Sequence, residues 1–131
     1  MDKELKKIVE LALSEDIGSG DLSSSLLDDV IINAEIICRD RAIICGTEYF
    51  DLCFLSLDKD IQIKWNLKDG DEVKPGEVIC NIKGKSRAII TAERTALNFL
   101  QILSGTSTKT NDLVNLIGKT KAQLLDTRKT I

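Results

Sequence analysis

The 131-residue sequence contains no histidine, only one proline, and few aromatic residues: one Trp, one Tyr and three Phe. Because imidazole is absent, Ser–His–Asp and Cys–His nucleophilic catalysis are excluded, as are zinc sites that use histidine ligands. The formal net charge is −3, whereas nucleic-acid-binding modules usually combine a basic face with stacking aromatic side chains. We therefore expect no nucleic-acid partner.

Long apolar runs are also missing from the sequence. No run approaches the ~20 residues that a membrane-spanning helix needs. The N-terminal residues Met-Asp-Lys-Glu carry too much charge for a secretory signal peptide. We therefore expect no membrane association and a cytoplasmic location.

The four cysteines, Cys38, Cys45, Cys53 and Cys80, include no Cys-x-x-C pair. This spacing argues against a metal site, and we expect no metal ligands in this chain. Each cysteine lies among apolar neighbours, a setting typical of buried free thiols in the reducing cytoplasm.

The first 105 residues are predicted to form a helix, a run of strands with a second helix inserted, and then further helix. Apolar residues recur at helical spacing in some segments and alternate with polar residues, as in strands, in others. The first two predicted helices span residues 2–14 and 48–57. Two strands are predicted within residues 30–46, and one strand each at residues 61–65, 78–82 and 87–90. This order indicates an α+β domain over residues 1–105.

Residues 106–131 are predicted to begin a second domain. The first domain is expected to close with a helix over residues 92–103, which ends at Gly105. Another helix fits residues 108–117. A short apolar strand is predicted at residues 122–125. Parallel α/β sheets need several such helix–strand units. We therefore interpret these last residues as only the opening of that second domain.

The segment 91–98 reads Thr-Ala-Glu-Arg-Thr-Ala-Leu-Asn, and Thr91 is a plausible N-cap. This placement puts Arg94 in the first helical turn, where free N–H groups and the guanidinium could together bind a carboxylate or phosphate. In the alternative interpretation, Glu93 complements the helix dipole and Arg94 is only solvated.

A second polar cluster, Asp-Thr-Arg-Lys-Thr at residues 126–130, follows the predicted apolar strand. In α/β folds, ligands collect at the carboxyl ends of strands. The adjacent cations Arg128 and Lys129, flanked by hydroxyl groups, suit a phosphate or a carboxylate. A solvated polar turn or a frayed chain end is the alternative interpretation.

Residues 69–82 form a glycine-punctuated hairpin pattern that resembles half of a biotinyl or lipoyl carrier domain. A carrier needs an exposed lysine on a tight turn, usually flanked by small residues or Met. Lys83 and Lys85 lie at a turn without those flanks. We therefore favour a structural hairpin over a carrier.

Five ordered segments together resemble one family. They are residues 12–24, 41–46, 69–73, 91–105 and 125–130. The sequence resembles the quinolinate phosphoribosyltransferases, also called carboxylating nicotinate-nucleotide pyrophosphorylases, and the resemblance spans residues 8–130.

The resemblance implies a transferase of NAD biosynthesis. Family members condense quinolinate with phosphoribosyl pyrophosphate, assisted by Mg²⁺, and release nicotinate mononucleotide, CO₂ and pyrophosphate. Their N-terminal α/β-sandwich domain is followed by an incomplete α/β barrel, and they form homodimers in which this domain covers the partner's barrel mouth. In this sequence, Arg94 would then be donated to the partner's site. Thr127, Arg128 and Lys129 would bind the dicarboxylate, and Lys129 is the predicted catalytic residue.

The resemblance also implies that most of the active site is missing. In the family, the Thr-Arg-Lys-Thr motif is followed by further anion-binding residues and by the acidic residues near Mg²⁺ and the ribose, whereas this sequence ends at Ile131. We therefore expect a truncated α/β barrel and a chain that is inactive alone. The alternatives are a non-catalytic dimerisation module or remnant, and a related paralogue, either a nicotinate phosphoribosyltransferase or a molybdenum-transport-associated protein.

Overall fold

The computed structural model describes residues 3–18, 28–118 and 120–126. These residues form three helices and five strands. The elements are α1 (Lys3–Ile17), β1 (Ile31–Ile37), β2 (Ala42–Ile43), α2 (Thr47–Leu57), β3 (Gln62–Trp65), β4 (Glu72–Val73), β5 (Val78–Lys85) and α3 (Ser86–Ile117). This mixture of antiparallel strands and packed helices confirms the α+β class predicted from the sequence.

The main sheet is antiparallel and has the strand order β1-β5-β3. On the central strand β5, Ile82 pairs with Ala34 of β1 and with Ile63 of β3. Exposed and partly buried residues alternate along β1 and β3, because successive side chains of a strand point to opposite faces. The short strands β2 and β4 pair with each other in a second antiparallel sheet.

The three helices contribute apolar side chains to one core that also includes β5. Phe50 of α2 is fully buried, and its ring centroid lies 4.9 Å from that of Phe54 and 5.1 Å from that of Trp65. Both pairs have the tilted or edge-on geometry that aromatic rings prefer. Phe50 therefore joins α2 to the edge strand β3.

All four cysteines are free. The prediction of buried free thiols is confirmed for Cys53 and Cys80, whereas Cys38 and Cys45 are only partly buried. Burial disfavours the charged thiolate and raises the pKa of Cys53 and of Cys80 to about 12. These two side chains therefore act as small apolar groups of the core.

Two hydroxyl groups of α3 bond to the backbone around β2. The Ser104 hydroxyl accepts from the backbone N–H of Cys45 (3.0 Å) and donates to the carbonyl of the same residue (3.2 Å). The Thr108 hydroxyl accepts from the backbone N–H of Ile43 at 2.8 Å and donates to the carbonyl of Ser104 at 2.6 Å. Since β2 pairs with β4 along one edge, these hydroxyl groups satisfy backbone groups around β2 that this pairing leaves free.

Ser104→Ala is expected to lower the free energy of unfolding by about 1–2 kcal/mol, because the partly buried N–H of Cys45 would lose its partner. Urea denaturation followed by the fluorescence of Trp65, the single tryptophan, measures this loss. Thr106→Ala is the matched control. The exposed Thr106 hydroxyl only donates to the carbonyl of Ile102, so that change should stay within about 0.5 kcal/mol. Equal losses in the two variants would contradict this role of Ser104.

The glycine-rich hairpin has a structural role at the start of α2. Asp69 accepts hydrogen bonds from the backbone N–H groups of Gly46 (3.0 Å) and Thr47 (3.1 Å), two donors at the N-terminal end of that helix. Gly46 has a φ of 99°, and a Cβ at this position would lie 2.7 Å from Leu103 Cδ1. Glycine is therefore required here both by the backbone conformation and by the close approach of α3.

A single helix replaces three elements that the sequence predicted separately. The strand at residues 87–90, the helix end at Gly105 and the break before residue 108 are wrong, because α3 runs from Ser86 to Ile117. Local preference favoured a strand at the β-branched residues 89–91, but Ile89 is buried in the core as part of the helix. The domain boundary predicted after residue 105 falls inside this helix and stays a prediction.

The short strand predicted at residues 122–125 is also wrong, since residues 122–126 have no regular secondary structure. Leu124 and Leu125 are exposed. A β-strand needs a neighbour for its backbone hydrogen bonds. Within the described part of the chain, this segment pairs with no strand.

Candidate functional site

Of the four predicted site residues, the structure places Arg94. Thr127, Arg128 and Lys129 lie outside the described residues. Arg94 lies about two turns after the start of α3 at Ser86, counting roughly 3.6 residues per turn. Its predicted position in the first helical turn, and Thr91 as the N-cap, are therefore wrong. The free N–H groups of a helix N-terminus are not available at Arg94.

Arg94 projects from α3 and forms an ion pair with the end of α1. Its Nε lies 2.6 Å from Oδ1 of Asp16, the penultimate residue of α1. The Arg94 side chain is 73% exposed, whereas the Asp16 side chain is only 21% exposed. The guanidinium is therefore held at one nitrogen while most of the side chain remains accessible.

The second oxygen of Asp16 is also occupied. Oδ2 of Asp16 accepts a hydrogen bond of 2.8 Å from the hydroxyl of Thr95, which is buried. Both oxygens of one carboxylate are thus used by two consecutive residues of α3. This arrangement fixes the carboxylate between α1 and α3, beside the exposed guanidinium.

An open groove of about 490 Å³ lies at this junction. Its walls combine the charged side chains of Glu15, Asp16 and Arg94 with the amide of Asn98 and the apolar side chain of Ile102. Two carboxylates and one guanidinium give these side chains a net negative charge. A dianion could therefore be bound here only if further cations approached from outside the described part of this surface.

A larger groove of about 1010 Å³ lies between the β1–β2 region and α3. Arg41 in its wall is held by Glu72, with Nε–Oε1 at 3.0 Å and Nη2–Oε2 at 3.2 Å, and by Asp112, with Nη1–Oδ1 at 2.9 Å. All three guanidinium nitrogens are therefore already used. This ion pair network joins the residue before β2 to β4 and α3. Because its nitrogens are occupied, Arg41 is a poorer candidate for binding an anion than Arg94.

Neither a metal site nor a membrane span is found in the residues that the structure describes. No group of three or more His, Cys, Asp or Glu side chains in this part of the chain could hold a metal ion. None of the described helices is long and apolar enough to cross a membrane.

Sequence reasoning identified Arg94 but missed its two supporting residues. Asp16 and Thr95 are 79 positions apart in the sequence, and nothing in their local spacing predicts that they meet. Both residues do lie in segments that carried the family resemblance. That shared resemblance is the one sequence signal that could have pointed to Asp16 as the partner of Arg94.

Comparisons with known proteins agree on one family. The sequence profile described as "Quinolinate phosphoribosyl transferase, N-terminal domain" matches residues 21–104. The chain is 37% identical over 128 residues to a probable nicotinate-nucleotide pyrophosphorylase [carboxylating] of Bacillus subtilis, covering 97% of this chain and 44% of that protein. It is 33% identical over 130 residues to quinolinate phosphoribosyltransferase [decarboxylating] 1 of Nicotiana glauca, covering 97% of this chain and 37% of the relative.

Solved structures show the same relationship. The fold matches the nicotinate-nucleotide pyrophosphorylase of Francisella tularensis with a TM-score of 0.94 and 44% identity, over 100% of this chain and 47% of that one. NadC of Streptococcus pyogenes matches with a TM-score of 0.92 and 30% identity, over 98% of this chain and 47% of that one. The chain thus spans less than half the length of these relatives. It belongs to the quinolinate phosphoribosyltransferase family and corresponds to the N-terminal part of its members.

Proposed function

We propose that this chain supplies the substrate-covering, dimerising part of a quinolinate phosphoribosyltransferase. The observation that carries the proposal is Arg94, an exposed guanidinium that Asp16 holds at a single nitrogen within a family-matched segment. In this proposal, Arg94 reaches the active site of a partner subunit in a homodimer and binds a carboxylate of quinolinate there. A cytoplasmic location is part of the same proposal.

The charge of the substrates explains why one arginine is not enough. Quinolinate carries two carboxylates, and phosphoribosyl pyrophosphate carries a phosphate and a pyrophosphate, so bringing the two together requires cations that offset their repulsion. The negative charge of the Arg94 groove calls for further cations on the surface that it meets. We propose that Arg128 and Lys129 supply these cations, and that the backbone of Thr127 helps them to hold the dicarboxylate.

The proposed reaction is a ribosyl transfer followed by decarboxylation. The bond between ribose C1 and pyrophosphate breaks, and the ring nitrogen of quinolinate forms a new bond to that carbon. The adjacent carboxylate then leaves as CO₂, and the ring carbon that carried it takes up a proton from solvent. An electron-poor ribosyl centre develops as pyrophosphate departs, so positioning and electrostatic stabilisation dominate catalysis. Lys129 is the proposed catalytic cation. The requirement for Mg²⁺ stays a prediction, and no step here depends on it.

A fused enzyme tests the proposed function. This chain would be joined to the C-terminal residues of the Francisella tularensis relative that lie beyond the matched segment. We expect the fusion to form nicotinate mononucleotide only when quinolinate and phosphoribosyl pyrophosphate are both present. The C-terminal part expressed alone is the control and should be inactive. A fusion that is folded and dimeric but forms no product would contradict the transferase function and favour a non-catalytic module.

A further inference from the structure

We propose that Asp16 is the positioning residue that aims Arg94 at the substrate carboxylate. This inference rests on the proposed function, because it assigns a role within the same site. An arginine side chain on a surface helix has many rotamers, and binding an anion requires that one of them be selected. The ion pair at Nε makes that selection before the anion arrives. The two terminal nitrogens can then form the parallel bonds that a carboxylate accepts.

The position of Asp16 is itself well defined. Its Oδ2 accepts a hydrogen bond from the buried hydroxyl of Thr95. One turn earlier, Leu13 of α1 is buried in the core. Asp16 is thus held by its own helix and by the residue that follows Arg94.

The ion pairs of the described residues differ in how far their carboxylates are exposed. Lys6 and Glu10 lie 3.6 Å apart, and both of their side chains are more than half exposed. Of the four ion-pair carboxylates that the structure describes, that of Asp16 is the least exposed, at 21% against 47–57% for the others. The partner of Arg94 is therefore the ion-pair carboxylate that solvent reaches least, which suits it to hold a long side chain in a fixed direction while the terminal nitrogens stay accessible.

The charge of Asp16 argues for positioning over simple attraction. A negative group beside Arg94 weakens the attraction of that arginine for an anion. If affinity for an anion depended on charge alone, a neutral residue would serve better at this position. The ion pair is useful when the direction of the guanidinium limits binding, because a preorganised donor loses less freedom in the complex.

Kinetics of the fused enzyme separate these possibilities. Asp16→Ala removes the ion pair that directs Arg94 and is expected to raise KM for quinolinate about tenfold. KM for phosphoribosyl pyrophosphate should stay unchanged. Asp16→Asn keeps an oxygen that can accept from Nε and should restore KM for quinolinate to within about threefold. Thr95→Val removes the hydroxyl that holds Asp16 and should fall between these two variants. Glu10→Gln, which alters an exposed pair on α1, is the control and should change neither KM.

A second measurement tests the geometry on the chain as it exists. In ¹⁵N-edited NMR spectra, the Nε–H of Arg94 should be protected from exchange in the wild type and lose this protection in Asp16→Ala. Retained protection in that variant would overturn the ion pair.

The outcomes separate this inference from the proposed function. If Arg94→Ala raises KM for quinolinate and Asp16→Ala does not, the positioning role is wrong while the proposed function stands. Equal increases of both KM values in Asp16→Ala, without rescue by Asp16→Asn, would show a merely structural role. If Arg94→Ala itself has no effect, the proposed role of Arg94 fails first.

Discussion

Arg94→Ala in the fused enzyme is expected to lower kcat/KM for quinolinate by about 10²- to 10³-fold. This corresponds to a loss of about 3–4 kcal/mol in transition-state stabilisation, which is typical when one partner of a hydrogen-bonded charge pair in a closed site is truncated. The cost is large because the substrate carboxylate would be left desolvated without its partner. Steady-state kinetics with varied quinolinate and saturating phosphoribosyl pyrophosphate measure the effect.

Two variants show whether the loss at Arg94 comes from geometry or from net charge. Arg94→Lys keeps one positive charge but cannot form two parallel bonds, so it should recover only part of the activity. Lys109→Ala removes one cation from α3 beside the larger groove, away from Arg94, and should leave kcat/KM nearly unchanged. A similar loss in Lys109→Ala and Arg94→Ala would indicate a long-range charge effect and would contradict direct contact by Arg94.

Strands and helices with regular periodicity were predictable from the sequence. The partly buried residues of β1 alternate as a half-buried strand requires, and the buried residues Leu5, Val9 and Leu13 of α1 recur at helical spacing. In such elements, the apolar residues of the sequence pattern are the same residues that the fold buries. The sequence therefore predicted their type and, within a few residues, their ends.

The long helix α3 was not predictable in the same way. Gly105 is a typical helix end, but here it lies inside the helix, and it is not among the glycines with positive φ. Next to it, Ser104 and Thr108 bond to the backbone around β2 and hold the helix across this point. These tertiary bonds outweigh the cost of about 1 kcal/mol that an internal glycine brings relative to alanine.

The candidate site was predicted in part, for a related reason. Arg94 was identified by its residue type and by the family resemblance, whereas its location relative to the helix start depended on the extent of α3. The partnership of Arg94 and Thr95 with Asp16 is a long-range contact between two helices. No local pattern records such a contact, since it depends on how α1 and α3 cross.

The largest effect on stability is expected for Phe50→Ala, which should lower the free energy of unfolding by about 3–5 kcal/mol. The ring of Phe50 is fully buried between Phe54 and Trp65, so its removal leaves a cavity that these rigid neighbours cannot fill. For a domain whose total stability is about 5–15 kcal/mol, this is a major loss. Trp65 lies in the affected cluster, and its fluorescence during urea denaturation reports the change directly.

Leu55→Ala supplies the matched control for Phe50→Ala, because Leu55 lies on the same helix but is 37% exposed. It should cost about 1 kcal/mol, since less apolar area is lost and solvent can enter the space. A loss below about 1 kcal/mol for Phe50→Ala would show that the core around α2 is loosely packed.

Phe50→Ala should also affect the candidate site. With α2 loosened, α1 and α3 would lose part of the core that they share with it, and the contacts of Asp16 with Arg94 and Thr95 would weaken. Phe50→Ala should therefore raise KM for quinolinate near its unfolding transition, whereas Leu55→Ala should not.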